Sequence, residues 1–91
     1  MIYEVLWPDP LIQEVARQYM RAFAAGCATD FTLAFHRIEN RLTVDPIADS
    51  ESRGANIRVM IESPVTLYYR IESNGLQVTV VDVLFSKPRN R

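Results

Sequence analysis

Apolar and polar positions alternate in ways that divide the chain into one strand, two helices and a β-rich C-terminal half. Residues 2–7 are rich in β-forming side chains and stop at Pro8, which predicts a short first strand. A helix is then predicted from an Asp9 N-cap, with Pro10 in its first turn, to Gly26 just past its end. Its apolar stripe has the spacing of one helix face and consists of Leu11, Val15, Tyr19 and Phe23, flanked by Ile12, Ala16 and Met20.

A second helix is predicted to begin at Thr29 or Asp30. It ends at Asp45-Pro46, because a residue that precedes proline disfavours the helical conformation. The short link between the two helices predicts an antiparallel helical hairpin. One face of this helix is apolar and carries Phe31, Ala34, Phe35, Ile38 and Leu42.

The remaining sequence predicts a polar loop over residues 46–56 and then three strands. Residues 57–62 and 65–72 alternate between apolar and polar, with a turn at Ser63-Pro64 between them. Asn74-Gly75 is a strong hairpin signal. The last run, Leu76 to Phe85, is apolar at both parities. Either a bulge near Val81 changes the buried face, or the strand is central and covered on both sides.

The predicted order is β-α-α-β-β-β, an α+β fold in which the helical hairpin packs on a small, mostly antiparallel sheet. The 91 residues are enough for one hydrophobic core, so we expect a single domain over residues 1–91. Periodicity does not indicate where the first strand joins the sheet.

Composition narrows the class of protein further. The formal net charge of −1 gives no support to nucleic-acid binding, although Lys87, Arg89 and Arg91 make the C-terminal end basic. The N-terminal residues lack the pattern of a signal peptide, and no apolar run approaches the ~18 residues of a membrane span. Cys27 has no partner for an internal disulfide. We therefore expect a cytoplasmic protein.

Conventional catalytic sites find no support in the sequence. There is no cluster of cysteine and histidine for a metal, and the three glycines form no phosphate-binding loop, so no cofactor is expected. His36 lies off the apolar stripe of its helix and is interpreted as a surface residue, and Cys27 in the interhelical link as incidental.

Several segments together resemble one known family in their order, spacing and total length. They are Tyr3–Trp7, Ala34–Leu42, Asp45-Pro46, Glu51–Arg53, Ile57–Ile61, Ser63–Ile71 and Val78–Val83. This pattern is similar to the RelE/ParE toxins of type II toxin–antitoxin systems, also called plasmid stabilisation proteins. The resemblance implies a bacterial protein encoded beside an antitoxin, which wraps the toxin and lies in its groove, whereas free toxin arrests growth.

The resemblance leaves two activities open. RelE-like toxins are metal-independent endoribonucleases that cut messenger RNA in the ribosome with cationic side chains, and the resemblance places Arg58 in that role, with Lys87 or Arg89 as the C-terminal cation. Met60 and Thr66 stand where basic residues are expected, and no tail follows for a catalytic tyrosine. These departures favour ParE-like inhibition of DNA gyrase or an unknown target. A RelE-like endoribonuclease and a non-toxic relic that binds its antitoxin are the alternatives.

The candidates for partner binding are Arg53, Arg58, Tyr68, Arg70, Lys87 and Arg89. Each also has a structural interpretation. Arg58 is typical of a salt-bridged surface residue, and Arg53 is expected to pair with Glu51. Tyr68 and Tyr69 must point to opposite faces of a strand, so that one is in the core and the other partly exposed. The large aromatic residues Trp7, Phe23, Phe31 and Phe35 are assigned to the core.

Overall fold

The predicted α+β architecture is confirmed, with one additional strand. The computed structural model describes residues 2–72 and 75–88. A two-residue strand lies within the segment predicted as a loop, because it pairs with the strand that follows. The elements are β1 (Glu4–Leu6), α1 (Asp9–Ala24), α2 (Ala28–Val44), β2 (Glu51–Ser52), β3 (Ile57–Glu62), β4 (Val65–Ile71) and β5 (Gln77–Phe85).

The five strands form one sheet in the order β1-β5-β4-β3-β2. β1 runs parallel to β5, with Val5 opposite Val78, and the other neighbours are antiparallel. The predicted turn at Ser63-Pro64 connects β3 to β4, whereas Asn74 of the predicted hairpin turn lies outside the described residues.

The bulge predicted near Val81 is confirmed, whereas cover on both sides of the strand is not, because Val81 and Leu84 are 40% and 37% exposed. β5 is central, since it pairs with β1 on one side and β4 on the other. It also contains a bulge: Tyr68 pairs with Asp82 and Tyr69 with Val80, which leaves Val81 as the extra residue. The buried positions consequently change parity, from Val78 and Val80 to Val83 and Phe85.

The C-terminal ends of the helices agree with the prediction, whereas α2 begins at Ala28, before the predicted Thr29 or Asp30. The N-cap of α1 is Pro8, and Asp9 is already helical and makes no capping bond, so the assignment of Asp9 was wrong. Gly26 has a φ of 76°, and the Cys27 amide donates to the Ala22 carbonyl at 2.8 Å. This is the Schellman arrangement that a glycine after a helix favours.

The core lies between the helical hairpin and one face of the sheet. α2 buries Phe31, Ala34, Ile38 and Leu42, four of the five predicted residues. In α1 the buried residues are Gln18 and Ala22, whereas the side chain of Phe23 is 62% exposed. Its assignment to the core was wrong, because a spacing of four residues drifts around a helix of 3.6 residues per turn by about 40° at each step. The stripe therefore begins in the core at Leu11 and Val15 and rotates out of it.

Of the other aromatic residues assigned to the core, Phe31 and Trp7 pack in it, whereas Phe35 lies at its edge. Phe31 is buried, and half-buried Phe35 stacks on it with a centroid distance of 6.1 Å. Trp7 is half-buried and contacts Phe35 at a centroid distance of 5.4 Å.

Candidate functional site

The candidate residues are divided between the two faces of the sheet. Residues paired directly across antiparallel strands point to the same side, so Arg58 shares the helix-facing side with its partner Tyr69. Tyr68 and Arg70 alternate with Tyr69 along β4 and therefore lie on the opposite side. We call that opposite side, turned away from α1 and α2, the open face.

Arg58 is half-buried and holds the loop after α2. Its Nε donates to Ser50 Oγ at 2.8 Å, and its Nη2 donates to the Ser50 carbonyl oxygen at 3.2 Å. The neighbouring Tyr69 hydroxyl donates to the Pro46 carbonyl. Burial raises the pKa of Tyr69, and this effect is opposed by Ser50 and Arg58. Arg58 also borders an open pocket of about 400 Å³, lined in addition by Ile47, Ser52, Gly54, Ala55, Asn56 and Ile71.

Arg53 and Glu51 form the predicted ion pair. Arg53 Nη1 lies 3.0 Å from Glu51 Oε2, and both side chains are largely exposed. An exposed pair of this kind contributes little to stability.

Lys87 is remote from Arg58. The chain after β5 is held by the Ser86 amide, which donates to the Pro64 carbonyl at 3.0 Å, so exposed Lys87 lies beyond the Val65 end of β4. Arg58 is level with Tyr69, four residues along β4, a separation of about 13 Å at about 3.3 Å per residue. Arg89 lies outside the described residues. Within the described part of the chain, Arg58 and Lys87 therefore do not converge on one phosphate-sized position.

Arg70 is engaged in a polar network on the open face. Its Nε and Nη2 lie 3.4 and 3.3 Å from the Glu72 carboxylate, which also accepts a hydrogen bond from Thr79. The hydrogen bond from Thr79 is the main cause of a lowered pKa at Glu72, and the hydrogen bond from Arg70 lowers this pKa further. Arg70 is thus largely neutralised by its neighbour.

The centre of the open face is apolar and aromatic. One row across the sheet contains Ile61, Thr66 and Leu84, and the next contains Val59, Tyr68 and Asp82. Ile61 is 58% exposed and Leu84 37% exposed. Tyr68 is half-buried here while Tyr69 is fully buried, which confirms the prediction for this pair.

A second apolar surface lies on the outer side of the helices. The hairpin groove, as we name it, has a volume of about 390 Å³ and is lined by Ile12, Val15, Ala16, Tyr19, Met20, Phe31, Thr32 and Phe35. It continues toward Trp7 and Glu39 at one end and toward Leu33 at the other, through pockets that share lining residues with it. Ile12 and Met20 are more than half exposed. The apolar stripe of α1 was predicted to lie in the core, and its spacing did not indicate which of its residues would line a groove.

Neither His36 nor Cys27 lies in one of these candidate sites. His36 is exposed as predicted, with Nδ1 3.2 Å from Glu39 Oε1. Cys27 is the N-cap residue of α2. Across residues 2–72 and 75–88, no group of three or more histidine, cysteine, aspartate or glutamate side chains is arranged to hold a metal. No helix in the same ranges is long and apolar enough to cross a membrane.

No protein-family model matches the chain, and no curated protein is detectably similar to it in sequence. Solved structures do share its fold. The RelBE2 toxin–antitoxin complex from Mycobacterium tuberculosis contains a chain that matches with a TM-score of 0.66 and 17% identity, covering 94% of this chain and 100% of that one. The chromosomal ParDE toxin–antitoxin system from P. aeruginosa gives a TM-score of 0.67 and 11% identity, covering 94% and 98%. The chain thus has a RelE/ParE-like toxin fold.

Proposed function

We propose that this protein is the toxin of a type II toxin–antitoxin pair, which arrests bacterial growth until a cognate antitoxin binds it. Support comes from the fold, which is similar over 94% of the chain to structures of the RelBE2 and ParDE systems. The hairpin groove is the observation that carries the proposal, because it offers a partner an apolar surface that residues 2–72 and 75–88 leave uncovered.

The groove suits an amphipathic helix. It runs between two antiparallel helices, and its walls are almost entirely aliphatic and aromatic. A third helix laid along such a seam buries apolar residues at every third or fourth position, a common mode of peptide recognition. Along α2 the seam extends from Ala28 to Glu39, about 17 Å or three helical turns. An antitoxin segment of roughly this length would fill it.

For the cellular target we propose a protein, with DNA gyrase as the first candidate. Cleavage of RNA without a metal requires cationic groups gathered around the scissile phosphate. Arg58 is instead bound to Ser50 on the helix-facing side, and Arg70 is paired with Glu72 on the open face. Inhibition through a binding surface needs no such constellation. The fold itself favours neither activity, since the TM-scores to the two systems are 0.66 and 0.67.

The experiment that tests the toxin proposal is induction of the chain in a bacterial cell, alone and together with the product of the adjacent open reading frame. We expect induction alone to stop growth, and co-expression to restore it with both chains recovered as one complex. Unimpaired growth on induction alone would overturn the proposal, and so would failure of the two products to co-purify.

A further inference from the structure

We propose that the open face of the sheet is a docking surface for a protein segment that carries a lysine or arginine beside an apolar side chain. The identification of that segment with the toxin's target rests on the proposed function, whereas the binding chemistry is argued from the surface alone. Two properties of the surface define the occupant: an exposed apolar area and a carboxylate that forms no ion pair with any described residue.

The apolar area lies at the Pro64 end of the open face. Ile61 and Leu84 flank Thr66 in one row across three strands, and they are 58% and 37% exposed. Val81 adds to this area. Val80 and Val83 are buried against the helices, and the bulge places Val81 and Asp82 between them. Val81 is consequently 40% exposed. Uncovered aliphatic side chains on β3 and β5, on either side of Thr66 of β4, favour association with an apolar partner.

The charge of the same face is negative. Its carboxylates include Glu51 and Glu72, which pair with Arg53 and Arg70. Glu4 accepts a hydrogen bond from Gln77. Asp82 differs from these: its carboxylate accepts the Val83 amide at 2.8 Å and has no ion-pair partner among the described residues. A negative charge at this position favours a partner with a cationic side chain.

Tyr68 makes the position next to Asp82 selective for such a cation. The two residues are paired across β4 and β5 on the open face. A guanidinium or ammonium group placed between them interacts with the carboxylate by charge-assisted hydrogen bonding and with the ring through its electron-rich face. The same carboxylate repels the phosphates of a nucleic acid. These features favour a protein segment over RNA.

The spacing of the two features indicates an extended conformation for the segment. Asp82 and Leu84 lie two residues apart on β5 and face the same way, because side chains alternate along a strand. A partner strand with a cationic residue two positions from an apolar one repeats that distance of about 7 Å. A hexapeptide with leucine at its first and fifth positions, arginine at its third and threonine at the others has this property.

Titration of the isotopically labelled full-length chain with the capped hexapeptide Leu-Thr-Arg-Thr-Leu-Thr, followed by NMR, tests the proposal. We expect saturable shifts at the amides of Tyr68, Asp82 and Leu84, and about a five- to tenfold weaker affinity in Asp82→Asn. Asp30→Asn, the same neutralisation on an exposed residue of α2, should leave the affinity unchanged. Leu84→Ala should weaken binding, whereas Val44→Ala, at a 69% exposed position after the core-facing part of α2, should not.

Several outcomes would overturn the proposal: equal shifts with the same hexapeptide carrying glutamate in place of arginine, shifts confined to other surfaces, unchanged affinity in Asp82→Asn, or tighter binding of a single-stranded RNA oligonucleotide to the same amides. Growth assays separate this proposal from the toxin proposal. If the wild-type chain does not arrest growth but the peptide binds as described, the toxin proposal fails and the docking surface stands. If the wild type arrests growth and Asp82→Lys arrests it equally, the docking surface is not the site of target binding.

Discussion

Arg58 on β3 and Tyr69 on β4 are cross-strand neighbours, and together they hold the loop after α2 at two points. Arg58 binds Ser50 through a side-chain and a main-chain oxygen, while the Tyr69 hydroxyl binds the Pro46 carbonyl. The loop between α2 and β2 therefore owes its position to two side chains of the sheet. This relationship gives Arg58 a structural role that does not require a phosphate.

Arg58→Ala should accordingly destabilise the fold. Removing a charged donor with two acceptors is expected to lower the free energy of unfolding by about 1–3 kcal/mol. Urea denaturation followed by circular dichroism measures this change. Arg53→Ala is the matched control, since its exposed pair with Glu51 should contribute less than about 1 kcal/mol. Full stability in Arg58→Ala combined with loss of growth arrest would contradict the structural role and point to chemistry at Arg58.

Tyr69 should make the fold sensitive to alkaline pH. Its pKa is raised by burial, so the folded state holds the phenol proton more tightly than the unfolded state does. The resulting stability is fully present below the unfolded pKa of about 10 and is lost as pH rises through the folded pKa. The urea midpoint of the wild type should therefore fall more steeply above pH ~10 than that of Tyr69→Phe. Parallel curves for the two proteins would show that Tyr69 does not contribute.

Gln18→Ala should lower the free energy of unfolding, although the side chain is polar and lies on a surface helix. Gln18 is 4% exposed, and its Oε1 accepts the Phe85 amide at 2.9 Å, which joins α1 to the end of β5. Without the acceptor a buried amide is left unpaired, a loss of about 1–3 kcal/mol. Chemical denaturation of this variant beside Gln13→Ala, an exposed glutamine on the same helix, measures the difference. Equal stability of the two variants would refute the assigned role.

A charge placed in the hairpin groove should abolish partner binding without unfolding the protein. Met20 lines the groove and is 60% exposed, so Met20→Lys is expected to change stability by less than about 0.5 kcal/mol. Burying that ammonium group under an antitoxin helix is unfavourable, and we expect loss of co-purification with the antitoxin. Ile47→Lys, at another exposed aliphatic residue outside the groove, is the control. Undiminished co-purification of Met20→Lys would place the antitoxin elsewhere.

Local patterns predicted those elements whose buried face has a clear period. The apolar face of α2 and the alternation of Val65, Leu67 and Tyr69 in β4 both reappear in the core, since each follows the repeat of its element. The bulge in β5 was also signalled, by apolar residues at both parities. The parallel pairing of β1 with β5 was not, because it joins residues more than seventy positions apart and leaves no local trace.

The distribution of the candidate site residues over the two faces of the sheet could not be predicted, for a related reason. Which face of β3 a residue occupies depends on its register against β4, and both parities of β3 contain apolar residues. Met60 enters the core while Ile61 is exposed, so Arg58 lies on the side opposite Tyr68 and Arg70. In α1, Gln18 replaces an apolar residue at a buried position, and the apolar residues beside it line the groove instead.

Growth arrest through a protein target, rather than through RNA cleavage, is the proposed activity of this protein. The most direct test is to induce the chain alone and to follow growth, the DNA damage response and the integrity of ribosome-bound messenger RNA in the same culture. We predict arrest with an induced damage response and intact messages, and the same arrest in Arg58→Ala at matched folded protein levels. Arrest with cleaved ribosome-bound messages that is lost in Arg58→Ala would contradict the account.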